Sequence, residues 1–289
     1  GDLSPPARIR AAKALARDGS ARARDALASA LATEPFWGVA VEIAAALGAS
    51  RAPSARATLL RATGHAHPKV RRAVAEALGH WRDEEVATAL LAMRDDASYF
   101  VVAAALHALG RTRDARAFAA LVAGVTTPSW LETIAAGAVR GLGALADERA
   151  LPVLEDLLRP ERAEALRRAA AGALAQLGTQ VDAARTRAVD AIERALADPS
   201  YMVRLSAYVA AEKLGDARLL PVLDRLAAAE SDGRLRRDAA EAAIHIREDR
   251  SKPAELAQLR EEVDRLRAES QTLRERLDEM TAARTEPPA

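Results

Sequence analysis

The sequence predicts an all-α fold, built as a solenoid in which short helical hairpins stack side by side. Half of the 289 residues are apolar but only 3% are aromatic, and alanine dominates the apolar share. Alanine, leucine, arginine and glutamate are strong helix formers, whereas the β-branched and aromatic residues typical of strands are scarce. A related segment also recurs every 31 to 37 residues. A regular recurrence of this length is typical of stacked repeats.

Each repeat centres on one apolar residue, which we call the anchor. The anchors are Leu15, Leu47, Leu78, Leu109, Leu142, Leu174, Ala211 and Ala243. Eight residues before them stand Ala7, Val39, Val70, Val101, Ile134, Leu166, Val203 and Leu235. Four residues before them stand Ala11, Ile43, Val74, Ala105, Ala138, Ala170, Ala207 and Ala239. Spacings of four and eight put these side chains on one helix face, so each unit begins with a helix buried on that face.

A short polar residue follows most anchors by five positions and predicts the start of a second helix. These residues are Ser20, Asp83, Asp114, Asp147, Thr179, Asp216 and Glu248. Such side chains accept hydrogen bonds from the free amides at a helix start. The second helices are expected at positions such as 84–93, 149–158 and 218–229. A hairpin of this kind cannot bury both of its faces alone, so neighbouring units must stack.

The period and the helical pattern resemble those of HEAT-type repeats. A tetratricopeptide array has a similar period, but its Trp…Leu-Gly…Tyr spacing is absent from these first helices. A compact antiparallel bundle has no need of eight units in register. The predicted fold class is therefore all-α, a HEAT-like α-solenoid (an α-α superhelix) of about eight repeats over residues 1–250.

Residues 251–283 break the repeat pattern and predict a coiled-coil helix, followed by a disordered tail at 284–289. Apolar residues with a 3-4 spacing form a heptad seam, interrupted by Ser270; they are Leu256, Leu259, Val263, Leu266, Leu273, Leu277 and Met280. Glutamates and arginines flank this seam, as in coiled coils. We expect a homodimer through residues 254–283, and the alternative is a helix that folds back and caps the solenoid.

Composition narrows the classes of function. The formal charge is +1, from 42 basic and 41 acidic residues, which argues against a dedicated nucleic-acid binder. The nucleic-acid alternative requires basic side chains on second helices that line a concave face, such as Arg56, Arg61, Arg116 and Arg225. The chain has no cysteine, and no apolar run reaches the length of a membrane span. A cytoplasmic protein is expected, and the start at Gly1 is interpreted as a boundary within a longer chain.

No motif predicts a catalytic, cofactor-binding or metal-binding residue in this chain. A His-Glu-x-x-His zinc motif is absent, as is a Gly-rich phosphate loop. His65 and His67 are interpreted as a polar turn before a helix rather than as metal ligands. A row of arginines follows the residues that precede the anchors by eight: Arg8, Arg71, Arg167, Arg204 and Arg236. We expect these arginines to bond to acids of adjacent units and so to fix the stacking.

Four aromatic residues are candidates for contact with a partner: Trp37, Trp81, Trp130 and Tyr99. The tryptophans lie at or near predicted junctions between helices. Aromatic side chains at such junctions either hold a hairpin corner together or form the anchors of a protein interface. Both interpretations remain open at this point.

Several short segments resemble the C-terminal region of bacterial zinc aminopeptidases of the aminopeptidase N type. They are Pro35-Phe36-Trp37-Gly38-Val39, His67-Pro68-Lys69-Val70-Arg71-Arg72-Ala73, Ser98-Tyr99-Phe100-Val101 and Ser129-Trp130-Leu131-Glu132-Thr133-Ile134. The likeness covers about residues 5–247, and the heptad tail is also similar to tails in that group. The resemblance implies a non-catalytic superstructure docked on a catalytic domain of the same protein, which would hold the zinc. The alternative is a free-standing HEAT-repeat adaptor that binds a protein partner.

Overall fold

The computed structural model describes residues 4–249, which form seven helical hairpins and one further helix. The first helices of the units are Pro5–Asp18 (α1), Trp37–Ser50 (α3), Pro68–Leu78 (α5), Tyr99–Thr112 (α7), Thr133–Leu145 (α9), Glu164–Gln180 (α11), Tyr201–Leu214 (α13) and 233–249 (α15). The second helices are Ala21–Thr33 (α2), Pro53–Arg61 (α4), Glu84–Ala92 (α6), Ala117–Val125 (α8), Ala150–Leu157 (α10), Asp182–Ala195 (α12) and Leu220–Ala229 (α14). The predicted all-α solenoid is confirmed. The tail at 251–289 and its heptad seam lie outside the described residues.

The anchor pattern marks the buried face of the first helices. From the second unit onward, every anchor and every residue four and eight positions before it is buried. The first unit differs, because Leu15 is only partly buried and Ala11 is exposed. Ala12 is the buried residue of α1 instead. The register therefore shifts at the end of the stack, where α1 has a neighbouring first helix on only one side.

The predicted cap is confirmed in five units and is wrong in the sixth. The side chains of Ser20 and Asp83 accept from backbone amides three residues later. Those of Asp114, Asp147 and Asp216 accept from amides two residues later.

The prediction is wrong for Thr179, because α11 continues past the expected turn. The residues that would follow Glu248 in a second helix lie outside the described residues. Thr179 lies inside α11, where its hydroxyl donates to the carbonyl of Gln176. A hydroxyl in this position cannot cap the following helix, and α12 begins after Val181 instead.

First helices of consecutive units pack directly on each other, whereas second helices barely touch. Glycines make the closest approach, between α7 and α9: a Cβ at Gly110 would lie 2.0 Å from the carbonyl oxygen of Gly141. Farther along, Arg113 at the end of α7 donates to Gln180 at the end of α11, two units away (2.7 Å).

The nucleic-acid alternative places its basic side chains on the second helices. Two of the four arginines named for this alternative already form ion pairs with acids. Arg56 pairs with Asp83 and Glu85, and Arg116 pairs with Asp114. The acids beside Arg56 and Arg116 therefore offset part of the positive charge that a basic groove on these helices requires.

Candidate functional site

An arginine at the start of a first helix binds an acid in the loop that leads to the next unit. Arg71 in α5 donates from Nε to Asp96 Oδ2 (2.6 Å) and from Nη2 to Asp96 Oδ1 (2.9 Å). The Asp96 carboxylate also accepts from the amide of Ser98, directly before α7 (2.8 Å). The hydrogen bond from Arg71 is the largest influence that lowers the pKa of Asp96. One carboxylate thus joins the start of α5 to the start of α7.

The same arrangement recurs along the stack. Arg8 binds Glu34, which accepts from the amide of Phe36. Arg167 binds Asp198, which accepts from the amide of Ser200. The expected bond to an acid is therefore confirmed for three of the five arginines of the row, with one correction. The acid lies in the loop after the arginine's own second helix, because a guanidinium at the helix start reaches this loop before it reaches a neighbouring hairpin.

Two arginines of the row use backbone oxygens as their hydrogen-bond partners. Arg204 donates to the carbonyl of Asp198 (2.9 Å), and its nearest carboxylate, Glu230, is 3.9 Å away. Arg236 donates to the carbonyl of Glu230 (3.2 Å). These contacts also tie a first helix to an inter-unit loop, so the positional role of the row is kept without a close ion pair.

The loops fixed by these arginines carry most of the aromatic residues. All nine aromatic residues of the chain are described, and six lie at or next to the start of a first helix: Phe36, Trp37, Tyr99, Phe100, Trp130 and Tyr201. Because the first helices run side by side, these starts share one edge of the solenoid. We call Phe36, Trp37, Tyr99, Phe100, Trp130 and Leu131 the aromatic edge. It contains four of the six exposed large apolar side chains of residues 4–249, so apolar exposure is concentrated there.

Trp37 is committed largely to contacts within the protein. Its ring stacks on His67 of the next unit, with centroids 5.2 Å apart and planes 9° apart. Lys69 Nζ lies 4.0 Å from the ring centroid, in cation–π geometry. Gly38 leaves room for Phe36, since a Cβ there would lie 2.7 Å from the Phe36 ring. The geometry therefore gives Trp37 the role of a staple between the second and third units.

Trp130 and Leu131, unlike Trp37, are exposed to solvent. Their exposed fractions are 69% and 72%. They form a short 3-10 turn before α9, in which Leu131 (φ 50°) and Glu132 (φ 54°) both adopt left-handed backbone. Such a conformation costs a residue with a Cβ about 1–2 kcal/mol. The strained turn presents two adjacent large apolar side chains to solvent.

Tyr99 and Trp81 are both half-buried. Tyr99 begins α7 and packs on the exposed ring of Phe100, with the ring centroids 4.4 Å apart. Trp81 lies at the opposite edge, in the turn between α5 and α6, where it lines an open cavity together with four arginines.

The sequence prediction named Trp37, Tyr99 and Trp130 but missed Phe36, Phe100 and Leu131. The sequence could have indicated Phe36, Phe100 and Leu131, because each is adjacent to one of the named aromatic residues at the start of a first helix.

The two loop histidines hold a turn, as the sequence interpretation predicts. His65 Nδ1 accepts from the amide of His67, and His67 Nδ1 accepts from the amide of Lys69 at the start of α5. Within residues 4–249, no group of three or more histidine, aspartate or glutamate side chains is placed to hold a metal ion. None of the described helices is long and apolar enough to cross a membrane.

The stacked hairpins define an α-solenoid repeat protein, and the family comparisons agree. The chain belongs to the HEAT-repeat family: the model described as "HEAT repeats" matches residues 25–110, 58–136 and 161–244. The model described as "PBS lyase HEAT-like repeat" matches residues 134–159. No curated protein matches the sequence.

Several solved structures are similar to this chain at low sequence identity. The complex of CpcE and CpcF of phycocyanin lyase from Nostoc sp. PCC7120 is 20% identical, with 86% of this chain and 94% of that chain covered (TM-score 0.49). The archaeal HEAT-like repeats protein from Thermococcus onnurineus NA1 is 16% identical, with 78% and 97% covered (TM-score 0.43). Human deoxyhypusine hydroxylase is 22% identical, with 86% and 92% covered (TM-score 0.37). At these TM-scores, none of the three bears on what this chain binds.

Proposed function

We propose that this chain is a non-catalytic helical-repeat scaffold that binds a protein partner through its aromatic edge. The observation that carries the proposal is the turn at Trp130 and Leu131, which holds both side chains in solvent. Tryptophan is among the residues most enriched at the energetic centres of protein interfaces. Clustered apolar exposure on a soluble repeat surface is typical of an interaction site.

The backbone of this turn adds a second physical argument. Two consecutive residues with side chains adopt positive φ there. Strain of this kind persists where the surrounding structure enforces it, and it concentrates at functional positions. Ser129 supports the turn, because its hydroxyl accepts from the amide of Ile134 (2.9 Å). The turn is therefore held in a shape that presents Trp130 and Leu131 before any partner arrives.

The test compares the wild-type chain with a Trp130→Ala/Leu131→Gly variant. Both chains are immobilised, proteins enriched by the wild type are identified, and the leading candidate is then purified and titrated against each chain. Glycine at 131 suits the positive φ, so the variant should keep its thermal midpoint. We expect it to lose about tenfold or more in affinity for the purified partner.

The matched control is Val209→Ala/Ile244→Ala, which removes the other two exposed large apolar side chains of the described residues. Because both lie away from the aromatic edge, this variant should bind like the wild type. Equal affinities for the wild type and the Trp130→Ala/Leu131→Gly variant would reject the aromatic edge as the binding surface. An equal loss in both variants would point to general apolar adhesion.

A finer proposal takes the partner to be the catalytic domain of a zinc aminopeptidase in the same polypeptide. It is supported only by the sequence resemblance around Phe36-Trp37-Gly38 and the segments related to it. The coding sequence upstream of residue 1 provides the test. A domain with a His-Glu-x-x-His motif in the same reading frame would support this form, and its absence would favour the free-standing adaptor.

A further inference from the structure

An open cavity of about 660 Å³ lies at the edge opposite the aromatic edge, where the first helices end. Its lining is basic and polar: Arg51, Gly79, His80, Trp81, Arg82, Arg111, Arg113, Ala144, Gln176 and Gln180. The lining contains four guanidinium groups and no carboxylate. A concave site with one sign of charge concentrates oppositely charged ligands.

Three of these arginines occupy the same position in consecutive units. Arg51, Arg82 and Arg113 each follow their anchor by four residues and are therefore 31 residues apart. We call them the corner arginines. The sequence prediction did not single them out, although their even spacing was visible. The stacking of units two, three and four brings them to one cavity.

Backbone geometry makes two of the corner arginines unusual. Arg51 (φ 51°) and Arg113 (φ 58°) end α3 and α7 in the left-handed conformation. The equivalent positions of the first, fifth and seventh units carry Gly19 (φ 63°), Ala146 (φ 57°) and Gly215 (φ 60°). Glycine adopts this conformation without steric cost, whereas arginine pays about 1–2 kcal/mol. Units two and four thus place an arginine of the cavity on left-handed backbone at this helix end.

The side chains of the cavity have neutral partners instead of acids. Arg111 Nη2 lies 3.1 Å from His80 Nδ1, and Arg113 Nη2 donates to Gln180 Oε1 at 2.7 Å. Within residues 4–249, none of the four guanidinium groups pairs with a carboxylate of the chain. The pKa of Arg111 is lowered by burial and by Arg51, and that of His80 is lowered by burial, Arg111 and Arg51. The lining therefore carries positive charge without a carboxylate of its own, while Arg113 also borders a neighbouring pocket lined by Asp114, Asp147 and Glu148.

We propose that this cavity binds a doubly charged oxyanion, either a phosphate monoester or two adjacent carboxylates, carried by a segment of a protein. Guanidinium groups bind both groups through paired hydrogen bonds. The lining also includes Gln176, Gln180 and Trp81, whose side chains carry neutral N–H groups. The inference rests on the proposed scaffold function only in taking a protein as the carrier of the anion.

A single anionic group fits better than a nucleic acid. The arginines converge on one cavity, and the chain as a whole carries a formal charge of only +1. Acids such as Glu155, Asp156 and Asp190 line the grooves between second helices, which would repel an extended polyanion. Nucleic-acid recognition requires a basic track that follows many phosphates.

The experiment titrates the full chain by calorimetry with five probes. They are a phosphoserine peptide, its unmodified form, the same peptide with two aspartates at that site, inorganic phosphate and a single-stranded oligonucleotide. We expect saturable 1:1 binding of the phosphoserine or aspartate peptide, about tenfold or more tighter than that of the unmodified peptide. Inorganic phosphate should bind more weakly, because the peptide adds contacts.

The decisive variant is Arg51→Gly/Arg113→Gly, which removes two charges and places glycine where positive φ favours it. It should fold at least as stably as the wild type and lose about tenfold or more in peptide affinity. The matched control, Arg10→Gln/Arg94→Gln, removes two exposed arginine charges elsewhere and should bind like the wild type.

Three results would overturn the proposal. The first is no saturable binding of any peptide, and the second is equal peptide affinity in the wild type and Arg51→Gly/Arg113→Gly. The third is tightest binding of the oligonucleotide with equal losses in both variants, since this would indicate a dispersed nucleic-acid surface. Failure here leaves the partner titration with Trp130→Ala/Leu131→Gly unaffected, so the two proposals are tested separately.

Discussion

Arg167 and Asp198 form a buried, bidentate ion pair that links the start of α11 to the loop before α13. The hydrogen bonds run from Nε to Oδ2 (3.0 Å) and from Nη2 to Oδ1 (3.1 Å). The exposed fractions of the two side chains are only 9% and 5%. Arg167 Nη1 also donates to the carbonyls of Pro160 and Arg162, so it ties both neighbouring inter-unit loops together.

Asp198→Asn should destabilise the fold strongly. The change leaves the Arg167 guanidinium buried without its counter-charge, which costs about 3–5 kcal/mol when one partner of a buried pair is removed. Urea unfolding followed by circular dichroism measures this loss. The control is Glu241→Gln, in the exposed pair with Arg237, where little change is expected. A similar small change in both variants would show that the buried pair has no special structural weight.

Gly110→Ala should destabilise the contact between α7 and α9. The new Cβ would lie 2.0 Å from the carbonyl oxygen of Gly141, so the two helices must separate. Overpacking of this kind costs about 1–3 kcal/mol. Gly172→Ala is the control, because nothing lies within 4 Å of a Cβ there. Its stability should rise by up to about 1 kcal/mol through helix propensity. Thermal unfolding should show a lower midpoint for Gly110→Ala and a higher one for Gly172→Ala. A higher midpoint for Gly110→Ala would contradict the close packing of α7 on α9.

Stability should fall as the pH drops from 6.5 toward 4. Burial, followed by Arg140 and Arg111, lowers the pKa of His107 from 6.5 to about 4. The unfolded chain therefore binds a proton at higher pH than the folded chain. The contribution of neutral His107 is complete above pH 6.5 and is lost progressively below it.

The measurement is urea unfolding between about pH 7.5 and about pH 4.5 for the wild type and His107→Gln. Glutamine cannot titrate, so the variant should show a flatter dependence in this window. Asp216, whose pKa is lowered to about 2 chiefly by Arg218, contributes only at lower pH. Parallel curves for the two chains would rule out His107 as the source.

The heptad segment predicts a dimer of the intact chain. Its seam at Leu256, Leu259 and the apolar residues after them suits a two-stranded coiled coil. A truncation after residue 250 should then be monomeric, and light scattering on both chains measures the masses. Equal monomer masses would end the dimer proposal and leave the capping alternative.

The sequence by itself determined the repeat and most of its elements. Anchors such as Leu78 and Leu109 recur with a helical pattern before them, and this periodicity directly reports which face is buried. Caps such as Asp83 were predictable for the same local reason, since a cap acts within three residues of itself. The prediction failed where the local context changes, at Ala11 on the end of the stack and at Thr179 within a longer helix.

Only the tertiary structure decided which surfaces face solvent and which charges converge. Trp37 and Trp130 look alike in the sequence, yet one stacks on His67 and the other is exposed. Likewise, Arg51 and Arg113 are 62 residues apart in the chain and line one cavity because the intervening units stack. Local periodicity fixes each hairpin. Exposure and the convergence of charges depend on the spacing between hairpins, which small residues such as Gly110 and Gly141 set through tertiary packing.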